Sequence, residues 1–335
     1  MGDSHDQHPL RLSRRSLLQG ASGMGLAAAT GMLRPAFAAE EKPRMPPRSP
    51  LVIEAAVNGS TPKTKNPNVP RSVDEIAAAG IACVEAGASI VHNHNDEPNF
   101  GEPSIHSPDP YETAWRRIWE RHPGLLIHPT TSGERSAGIE ARFSHIAELH
   151  RRGALTMASA DAGCLAFALA DAGRPRPVGV FGNSASEVAW IFQWCRQRDL
   201  PVHISIFEPG FLRLTIAHLR AGTLPRRAKI QLYFGGDAAL FGLPPTESSV
   251  EALLQLLDGT GLPWMVGVLW GDVIGSGLAE FAIRRGGHVR VGLEDYAGPG
   301  QPTNEELVNQ VAQLGRQLGR RPADPAEVPG VLWSD

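Results

Sequence analysis

The segment Ser89-Ile-Val-His-Asn-His-Asn95 sets the architecture of this chain and introduces its chemistry. The apolar pair Ile90-Val91 is typical of a buried strand, and residues two apart on a strand point to the same face. His92 and His94 therefore lie side by side where the strand ends. Imidazole binds zinc, copper, iron and nickel, and zinc is the usual catalytic choice in carbonyl and hydrolytic chemistry. The pair predicts a metal site at a strand end; two polar residues leaving a strand, one of them solvated, are the alternative.

Helical segments flank this strand on both sides. Residues 74–86 precede it, with Ser72 as the N-cap and Gly87 as the stop. The alternation of a short apolar strand and a helix continues along the chain, which is typical of a parallel α/β architecture. We predict strands at residues 51–57, 90–94, 124–128, 154–158, 201–207, 229–234, 263–268 and 288–293, with an extra short strand at 177–181. We predict helices at residues 74–86, 110–121, 139–151, 185–198, 211–221, 248–257, 277–285 and 304–319.

These strand–helix units predict a (β/α)₈ TIM barrel that forms one domain, and a doubly wound open sheet is the alternative. In a closed barrel the eighth strand lies beside the first, and the first beside the second. Active sites of such barrels lie at the C-terminal ends of the strands. His92 and His94 end strand two, and Glu294 follows strand eight. We therefore expect two imidazoles and a carboxylate to meet at one rim, as in an open catalytic zinc site.

Further charged residues on strands one and eight belong to the same region. Glu54 lies on strand one, while Arg290, Gly292 and Glu294 alternate along strand eight and face one way. A buried ion pair between Arg290 and Glu294 is the alternative to a ligand role for Glu294. Asp295 is a general base, a partner of one histidine or a helix cap, and spacing alone does not separate these roles.

Hydroxyl-rich loops follow two of the predicted strands. His128-Pro-Thr-Thr-Ser-Gly133 follows strand three, and Ser159-Ala-Asp161 follows strand four. Such loops can hydrogen-bond a substrate carboxylate or carbonyl oxygen, although clusters of Ser, Thr and Gly also mark ordinary turns. His128 and His203 lie on predicted strands and are candidates to face inward.

The N-terminal residues have the pattern of an export signal. Ser13-Arg14-Arg15-Ser16-Leu17-Leu18 carries the twin-arginine arrangement, a Gly/Ala-rich stretch follows, and Ala36-Phe-Ala38 has the form of a signal-peptidase site. We expect a twin-arginine signal at residues 1–38, a linker at 39–50 and the catalytic barrel at 51–335. The mature protein is then periplasmic, or cytoplasmic if the signal is not used. We expect no membrane span in the mature form.

Charge and cysteine content exclude several classes of function. The formal net charge of -3 argues against nucleic-acid and anionic-membrane partners. Cys83, Cys164 and Cys195 show no CxxC spacing, so neither a disulfide framework nor a thiolate zinc site is expected.

The chain resembles the β-keto acid cleavage enzyme family from residue 51 to about residue 332. The resemblance rests on four groups of residues: Glu54-Ala-Ala-Val-Asn-Gly59, the His92/His94 pair, Pro129-Thr-Thr-Ser-Gly133, and above all Gly286-Gly-His-Val-Arg-Val-Gly-Leu-Glu-Asp295. It implies a TIM barrel with one divalent zinc. It also implies condensation of a β-keto acid with acetyl-CoA and cleavage of the adduct to acetoacetate and a new CoA thioester.

The resemblance also assigns roles to residues. His92, His94 and Glu294 would bind the metal. Asp295, paired with Arg290, would act as the base on the thioester methyl group or on its adduct. Thr130 would relay protons or hold the substrate carboxylate, and the substrate-binding residues would be Glu54, Ser159 and Asn58. The partners would be a small-molecule β-keto acid and a CoA thioester, in a homo-oligomer. An exported, non-catalytic metal- or carboxylate-binding barrel and a hydrolase that uses water as acceptor are the alternatives.

Three stretches depart from the usual pattern of the family. Asn95-Asp-Glu97 replaces an arginine-aspartate step, Leu155-Thr-Met157 replaces a proline-glutamate, and the loop Leu269-Trp-Gly-Asp-Val-Ile274 is atypical. These differences concern the substrate and acceptor pockets more than the metal ligands.

Overall fold

The computed structural model describes residues 49–95, 106–131 and 137–333. The strands are β1 (Ile53–Ala56), β2 (Ile90–Asn93), β3 (Leu126–Pro129), β4 (Ala158–Asp161), β5 (Cys164–Asp171), β6 (Arg174–Gly182), β7 (Val202–Ile206), β8 (Ala228–Gly235), β9 (Trp264–Leu269) and β10 (His288–Val291). The helices are α1 (Val73–Ala86), α2 (Pro108–Arg121), α3 (Ile139–Arg142), α4 (Ser144–Arg151), α5 (Ala185–Gln197), α6 (Pro209–Arg220), α7 (Glu247–Leu257), α8 (Leu278–Arg284), α9 (Asn304–Gln317) and, after a 3₁₀ turn, α10 (Val328–Leu332). The predicted signal, most of the linker, Asp96, Glu97, Ser132 and Gly133 lie outside the described residues.

A parallel barrel is the central feature of the fold. Eight strands of the described chain are hydrogen-bonded in the order β3-β2-β1-β10-β9-β8-β7-β4. The first strand of the chain therefore lies between the second and the last, and the predicted TIM barrel is confirmed. The register places Glu54 of β1 level with Arg290 of β10 on one side and with Ile90 of β2 on the other.

Side-chain hydroxyls join β3 to β4, the two ends of this hydrogen-bonded order. Thr156 Oγ1 accepts from the Ile127 N–H at 2.8 Å and donates to the Ile127 carbonyl at 3.0 Å. Ser159 Oγ donates to the Pro129 carbonyl at 2.6 Å. Hydroxyl groups thus satisfy backbone groups that a strand ladder would otherwise pair.

The fourth strand begins later than the sequence predicts. It was expected at residues 154–158, and it runs instead over Ala158–Asp161. Thr156 explains the shift, because its side chain already binds both backbone groups of Ile127. Ser159 and Asp161 consequently lie on the strand itself, on the same face, and do not lie in a loop after it.

The extra strand predicted at residues 177–181 is one half of an antiparallel hairpin of β5 and β6 outside the barrel order. Its two-residue turn has positive φ at Ala172 (48°) and at Gly173 (75°). Both central residues of a type I′ turn require positive φ, and Asn or Gly is the usual first residue. Because alanine stands at the first position, the sequence does not predict this turn.

Helix α1 shows how the outer layer is built. Ser72 and Glu75 form a capping box at its start, and its buried face packs on the barrel. A Cβ at Gly80 would lie 2.6 Å from Ile118 Cδ1 of α2, so glycine permits the close approach of the two helices. The predicted helix at 139–151 is divided at Phe143 into α3 and α4.

The barrel interior is apolar at one end and charged in its middle. At the N-terminal ends of the strands, an apolar layer packs against α10; its members are Val52, Ile90, Leu126, Met157 and Met265. Above it lie Lys229 and Arg290, which are among the largest fully buried side chains. Barrel interiors are normally filled by branched apolar residues, so this charged layer marks a functional region. No helix in the described ranges has the length and apolar character needed to cross a membrane.

Candidate functional site

The two histidines and the carboxylate from near the end of the chain meet at the C-terminal rim. Glu294 Oε2 lies 3.1 Å from His92 Nε2, and Glu294 Oε1 lies 3.3 Å from His94 Nε2. The imidazole rings are nearly perpendicular, with an interplanar angle of 84°. One ligand atom of each residue lies within 4.8 Å of the other two, a spacing that a single metal ion can share. The predicted convergence is confirmed, while metal binding itself stays a prediction.

The donor set fits a divalent cation. Glu294 Oε2 is buried and faces His92 Nε2 at 3.1 Å, with no other hydrogen-bond partner in the described part of the chain. Burial lowers the pKa of His92 to about 3, which keeps the ring in the neutral form that binds metals. Burial also acts to raise the pKa of Glu294, but Arg290 and the two histidines outweigh it and hold that pKa well below its usual value. Two neutral imidazoles and a carboxylate are the ligands of many catalytic zinc sites.

Asn58 holds the backbone of the ligand His94. Its Oδ1 accepts from the His94 N–H at 2.8 Å, and its Nδ2 donates to the His94 carbonyl at 2.9 Å. Asn58 therefore positions a ligand and lies outside the pocket lining, although it was expected to bind substrate. Gly59, the next residue in the chain, leaves space for the side chain of Glu294, because a Cβ at Gly59 would lie 2.2 Å from Glu294 Cγ.

A chain of polar contacts continues behind His92. Its Nδ1 lies 3.1 Å from both Nδ1 and the carbonyl oxygen of His128. His128 Nδ1 in turn lies 2.7 Å from Ser159 Oγ. Contacts of this kind fix the ring orientation and tautomer of metal-binding histidines.

Arg290 joins three carboxylates in the buried layer. Its Nε and Nη2 donate to Asp295 at 2.8 and 3.2 Å, and its Nη1 donates to Glu54 at 3.0 Å. Its Nη2 also lies 2.8 Å from Glu294 Oε1, so the ion pair considered as an alternative exists beside the ligand geometry. Burial raises the pKa of Asp295 to about 6, against the opposing effect of Arg290. A carboxyl group that titrates near neutrality suits a general base.

Glu54 lies below the pocket and not in its lining. Its carboxylate contacts Lys229 Nζ, and its Oε2 lies 3.4 Å from His128 Nε2 and 3.5 Å from His203 Nδ1. Glu54, His128 and His203 have the spacing of a second possible cation site. The ammonium of Lys229 already occupies that position, 2.9 Å from His203 Nδ1. Burial lowers the pKa of Lys229 to about 8.

An open pocket with a volume of about 100 Å³ lies over these layers. Its lining residues are His92, His128, Thr130, Thr131, Ser159, Asp161, Phe181, His203, Ser205, Phe207, Tyr233, Arg290 and Glu294. Thr130 lies after β3, as the sequence predicts, whereas Ser159 lines the pocket from β4 itself and not from a loop after it. Asp295 is bound to Arg290 and lies outside this lining.

Sequence reasoning did not assign Lys229, Tyr233 or Asp161 to the site. The available signal was the alternation on β8, where Lys229, Gln231 and Tyr233 share one face of a strand that is buried throughout. The sequence places Asp161 in a loop after strand four, because it predicts that this strand ends at residue 158. Thr131 Oγ1 donates to Asp161 at 2.8 Å, and burial raises the pKa of this carboxyl group.

Comparisons with known proteins agree with this arrangement. The family model described as beta-keto acid cleavage enzyme matches residues 50–332. A 3-keto-5-aminohexanoate cleavage enzyme of Fusobacterium nucleatum is 29% identical over 292 residues, covering 84% of this chain and 97% of the relative. A 3-oxoadipate:acetyl-CoA acetyltransferase of Cupriavidus necator is 29% identical over 300 residues, covering 84% of this chain and 94% of the relative.

A solved structure shares the fold. The ternary complex of ObcA with a C4-CoA adduct and oxalate superposes with a TM-score of 0.57 at 18% identity, covering 79% of this chain and 67% of ObcA. At this identity the likeness concerns the barrel alone.

Proposed function

This chain belongs to the β-keto acid cleavage enzyme family, and we propose that it transfers the acyl group of a β-keto acid to coenzyme A, with acetyl-CoA as the second substrate. In this reaction R–CO–CH₂–COO⁻ and CH₃–CO–SCoA give R–CO–SCoA and acetoacetate. The names of the relatives support this reaction, since one cleaves a keto acid and another is an acetyl-CoA acetyltransferase. The single observation that carries the proposal is the meeting of His92, His94 and Glu294 beside the Arg290–Asp295 pair.

The three rim residues would hold one divalent cation, and their donor set favours zinc. When bound, the cation supplies Lewis acidity that polarises a carbonyl oxygen of the substrate. Asn58 fixes the backbone of His94, and His128 contacts the imidazole of His92, so the His94 backbone and the His92 ring are positioned before any ligand binds.

The remaining residues move the proton and hold the substrate. Carbon 2 of a β-keto acid lies between two carbonyl groups and is therefore the carbon that most readily loses a proton. We assign Asp295 as the acceptor of this proton, held by two hydrogen bonds from Arg290. The Thr130 hydroxyl, whose bond to the Thr131 carbonyl is long at 3.3 Å, offers a donor to the substrate carboxylate, while the Ser159 hydroxyl donates to the Pro129 carbonyl.

The bond changes balance without another reactant. The bond between carbons 2 and 3 of the keto acid breaks, and so does the acetyl C–S bond. Carbon 2 joins the acetyl carbon, the released acyl group joins sulfur, and the proton taken from carbon 2 is returned. The test is to incubate the zinc-loaded protein with a panel of β-keto acids and acetyl-CoA and to identify the products by mass spectrometry. Acetoacetate together with a new acyl-CoA supports the proposal, and no cleavage of any panel member contradicts it.

The export signal favours water as a second candidate acceptor, because acetyl-CoA is a cytoplasmic metabolite. Hydrolysis would convert R–CO–CH₂–COO⁻ and water to R–COO⁻, acetate and a proton. The same incubation without acetyl-CoA distinguishes the two, since only a hydrolase releases the free acid. Ligand-dependent thermal shifts without any turnover would instead support the non-catalytic binding barrel.

A further inference from the structure

A second cavity opens directly beside the candidate metal centre. Its volume is about 110 Å³, and its lining includes Phe167, Phe181, Phe207, Phe241, Trp270 and Glu294. It shares Phe181, Phe207 and Glu294 with the polar pocket described above. The two cavities therefore meet at a ligand of the candidate metal centre.

The walls of this cavity are aromatic and uncharged. Phe167 contacts Phe241 and Trp270 with ring centroids 5.3 and 5.9 Å apart, and Phe181 contacts Phe207 at 5.8 Å. Glu294 is the one charged residue of the lining among the described residues, and its carboxylate faces the two histidines. Ser60 adds a hydroxyl group on an exposed residue. A carboxylate placed here would lose its hydration and would find no cationic side chain among the described lining residues to pair with it, which is costly.

Trp270 is held in this wall at a backbone cost. Its φ is +50°, a left-handed value that bulky residues rarely adopt, and backbone strain of this kind is concentrated at functional sites. Neighbouring backbone bonds maintain the position: Gly236 N–H donates to the Leu269 carbonyl at 2.8 Å, and Gly271 N–H donates to the Asp295 carbonyl at 3.1 Å. The tryptophan is thus tied to the segment that carries the proposed base.

We infer that this cavity binds the side chain of the β-keto acid, and that the enzyme selects bulky apolar or aromatic side chains over anionic ones. The inference rests on the proposed function and narrows its substrate class. The side chain is bonded to the keto carbon, which must lie beside the metal ligands, and this cavity begins at Glu294. The pantetheine arm of CoA fits less well, because its two amide groups need donors and acceptors. Among the described residues, the side chains of the lining offer the Ser60 hydroxyl, the Trp270 indole N–H and the Glu294 carboxylate, which faces the two histidines.

Matched pairs of substrates test the inference on the wild-type holoenzyme. One pair of 3-oxo acids ends in a tert-butyl or a sulfonate group, which have nearly the same shape, and the other pair ends in an isopropyl or a carboxylate group. We expect kcat/KM to be at least about tenfold higher for the uncharged member of each pair, since a pocket discriminates strongly against a group that it leaves unpaired. Equal values, or a preference for a charged member, overturn the inference while acyl-CoA formation still upholds the proposed function.

Binding without turnover keeps the two hypotheses separate. If no keto acid is cleaved, the proposed function fails, and thermal shifts of the zinc-loaded protein with the same pairs still measure selectivity. Larger shifts with the tert-butyl and isopropyl acids support the apolar cavity. Equal shifts, or larger shifts with the charged acids, reject it.

Variants of the cavity wall locate the effect. Phe241→Ala is expected to lower kcat/KM for a 3-oxo acid with a phenylethyl side chain by about tenfold or more, and to change it little for 3-oxopentanoate. Phe281→Ala on α8, outside the cavity lining, is the matched control and should change neither value. Ser60→Arg should raise kcat/KM for the carboxylate-ended acid, because it places a cation at the exposed edge of the cavity. If Phe241→Ala instead raises the KM for acetyl-CoA equally with every keto acid, the cavity binds pantetheine and the inference is overturned.

Discussion

Glu294 and Asp295 are neighbours in the chain, yet their environments separate their chemistry. Both are buried beside Arg290, and burial acts to raise the pKa of both. For Glu294 the guanidinium and two imidazoles prevail, so its pKa lies well below the usual value and it remains a carboxylate ligand. For Asp295 burial prevails, and its pKa rises to about 6. Two adjacent carboxyl groups with pKa values moved in opposite directions are the usual arrangement of a ligand or stabiliser beside an acid–base group.

Replacement of Glu294 tests the metal centre. Glu294→Gln removes the anionic ligand, and we expect zinc affinity to fall by at least about 100-fold, since the loss of an outer-shell partner alone costs 10- to 100-fold. Metal content after dialysis and the rise of Tm with added zinc measure the effect. Glu280→Gln, at an exposed ion pair with Arg284, is the control and should bind zinc as the wild type does. Unchanged zinc binding in Glu294→Gln would remove this residue from the ligand set.

Replacement of Asp295 tests the proton acceptor. Asp295→Asn keeps the shape of the side chain but removes its basicity, so kcat should fall by about 10²- to 10⁴-fold. Zinc content should stay close to that of the wild type, because the metal ligands are intact. Full turnover in this variant would exclude Asp295 as the base.

At the scale of single elements, the strands of the barrel carry a charged layer that must be neutralised internally. Glu54 on β1 is fully buried between Lys229 on β8 and Arg290 on β10. Burial acts to raise the pKa of Glu54, but Lys229, His203 and His128 outweigh it, and the pKa is well below its usual 4.5. Removal of one member of such a group leaves an uncompensated buried charge.

Glu54→Gln should therefore lower the free energy of unfolding by about 3–5 kcal/mol near neutral pH. A carboxyl group with a depressed folded-state pKa stabilises the fold above its unfolded pKa and loses this effect as pH falls through the folded pKa. The difference between wild type and variant should accordingly shrink below pH 4.5. Urea unfolding across a pH series measures it. Glu251→Gln, which breaks a partly exposed ion pair with Arg285, should cost no more than about 1 kcal/mol. A similarly small effect of Glu54→Gln would show that the buried layer is not held by this carboxylate.

The junction between β3 and β4 depends on hydroxyl groups, and Thr156 makes two of its hydrogen bonds. Thr156→Val keeps the shape but leaves the backbone N–H and C=O of Ile127 without these partners. We expect a loss of about 1–3 kcal/mol in the free energy of unfolding. Thr113→Val on the exposed face of α2 also removes a hydroxyl-to-backbone bond and is the control. Equal effects of the two substitutions would mean that Thr156 does not close the barrel.

At the scale of the whole molecule, the cellular compartment decides which acceptor the enzyme meets. We propose that residues 1–38 direct the protein through the twin-arginine route and are removed. N-terminal sequencing of the periplasmic protein should begin at Ala39, and Arg14→Lys combined with Arg15→Lys should retain the protein in the cytoplasm of a bacterial host. An uncleaved wild-type protein found in the cytoplasm would contradict export and would place the enzyme in the compartment that contains acetyl-CoA.

The hydrophobic periodicity of the chain predicts most of the barrel because each unit is local. A strand such as β2 and a helix such as α1 are specified by alternation, caps and stops that lie within about a dozen residues. The hairpin of β5 and β6 was only half predicted, since its turn uses Ala172 and its second strand is mostly exposed. The fourth strand was misplaced, because the side chain of Thr156 takes the role of a backbone ladder.

The amino-acid order by itself determined the barrel, its eight-unit repeat and the rim at which His92, His94 and Glu294 meet. These follow from the direction of parallel strands and from the adjacency of the first and last strands in a closed barrel. Only the tertiary structure decided how Lys229 and Arg290 share Glu54, and that Asn58 orients a ligand and does not line the pocket. Those relations depend on distances across the barrel and on desolvation. Both are set by which side chains pack together from strands remote in sequence, and local pattern carries no measure of either.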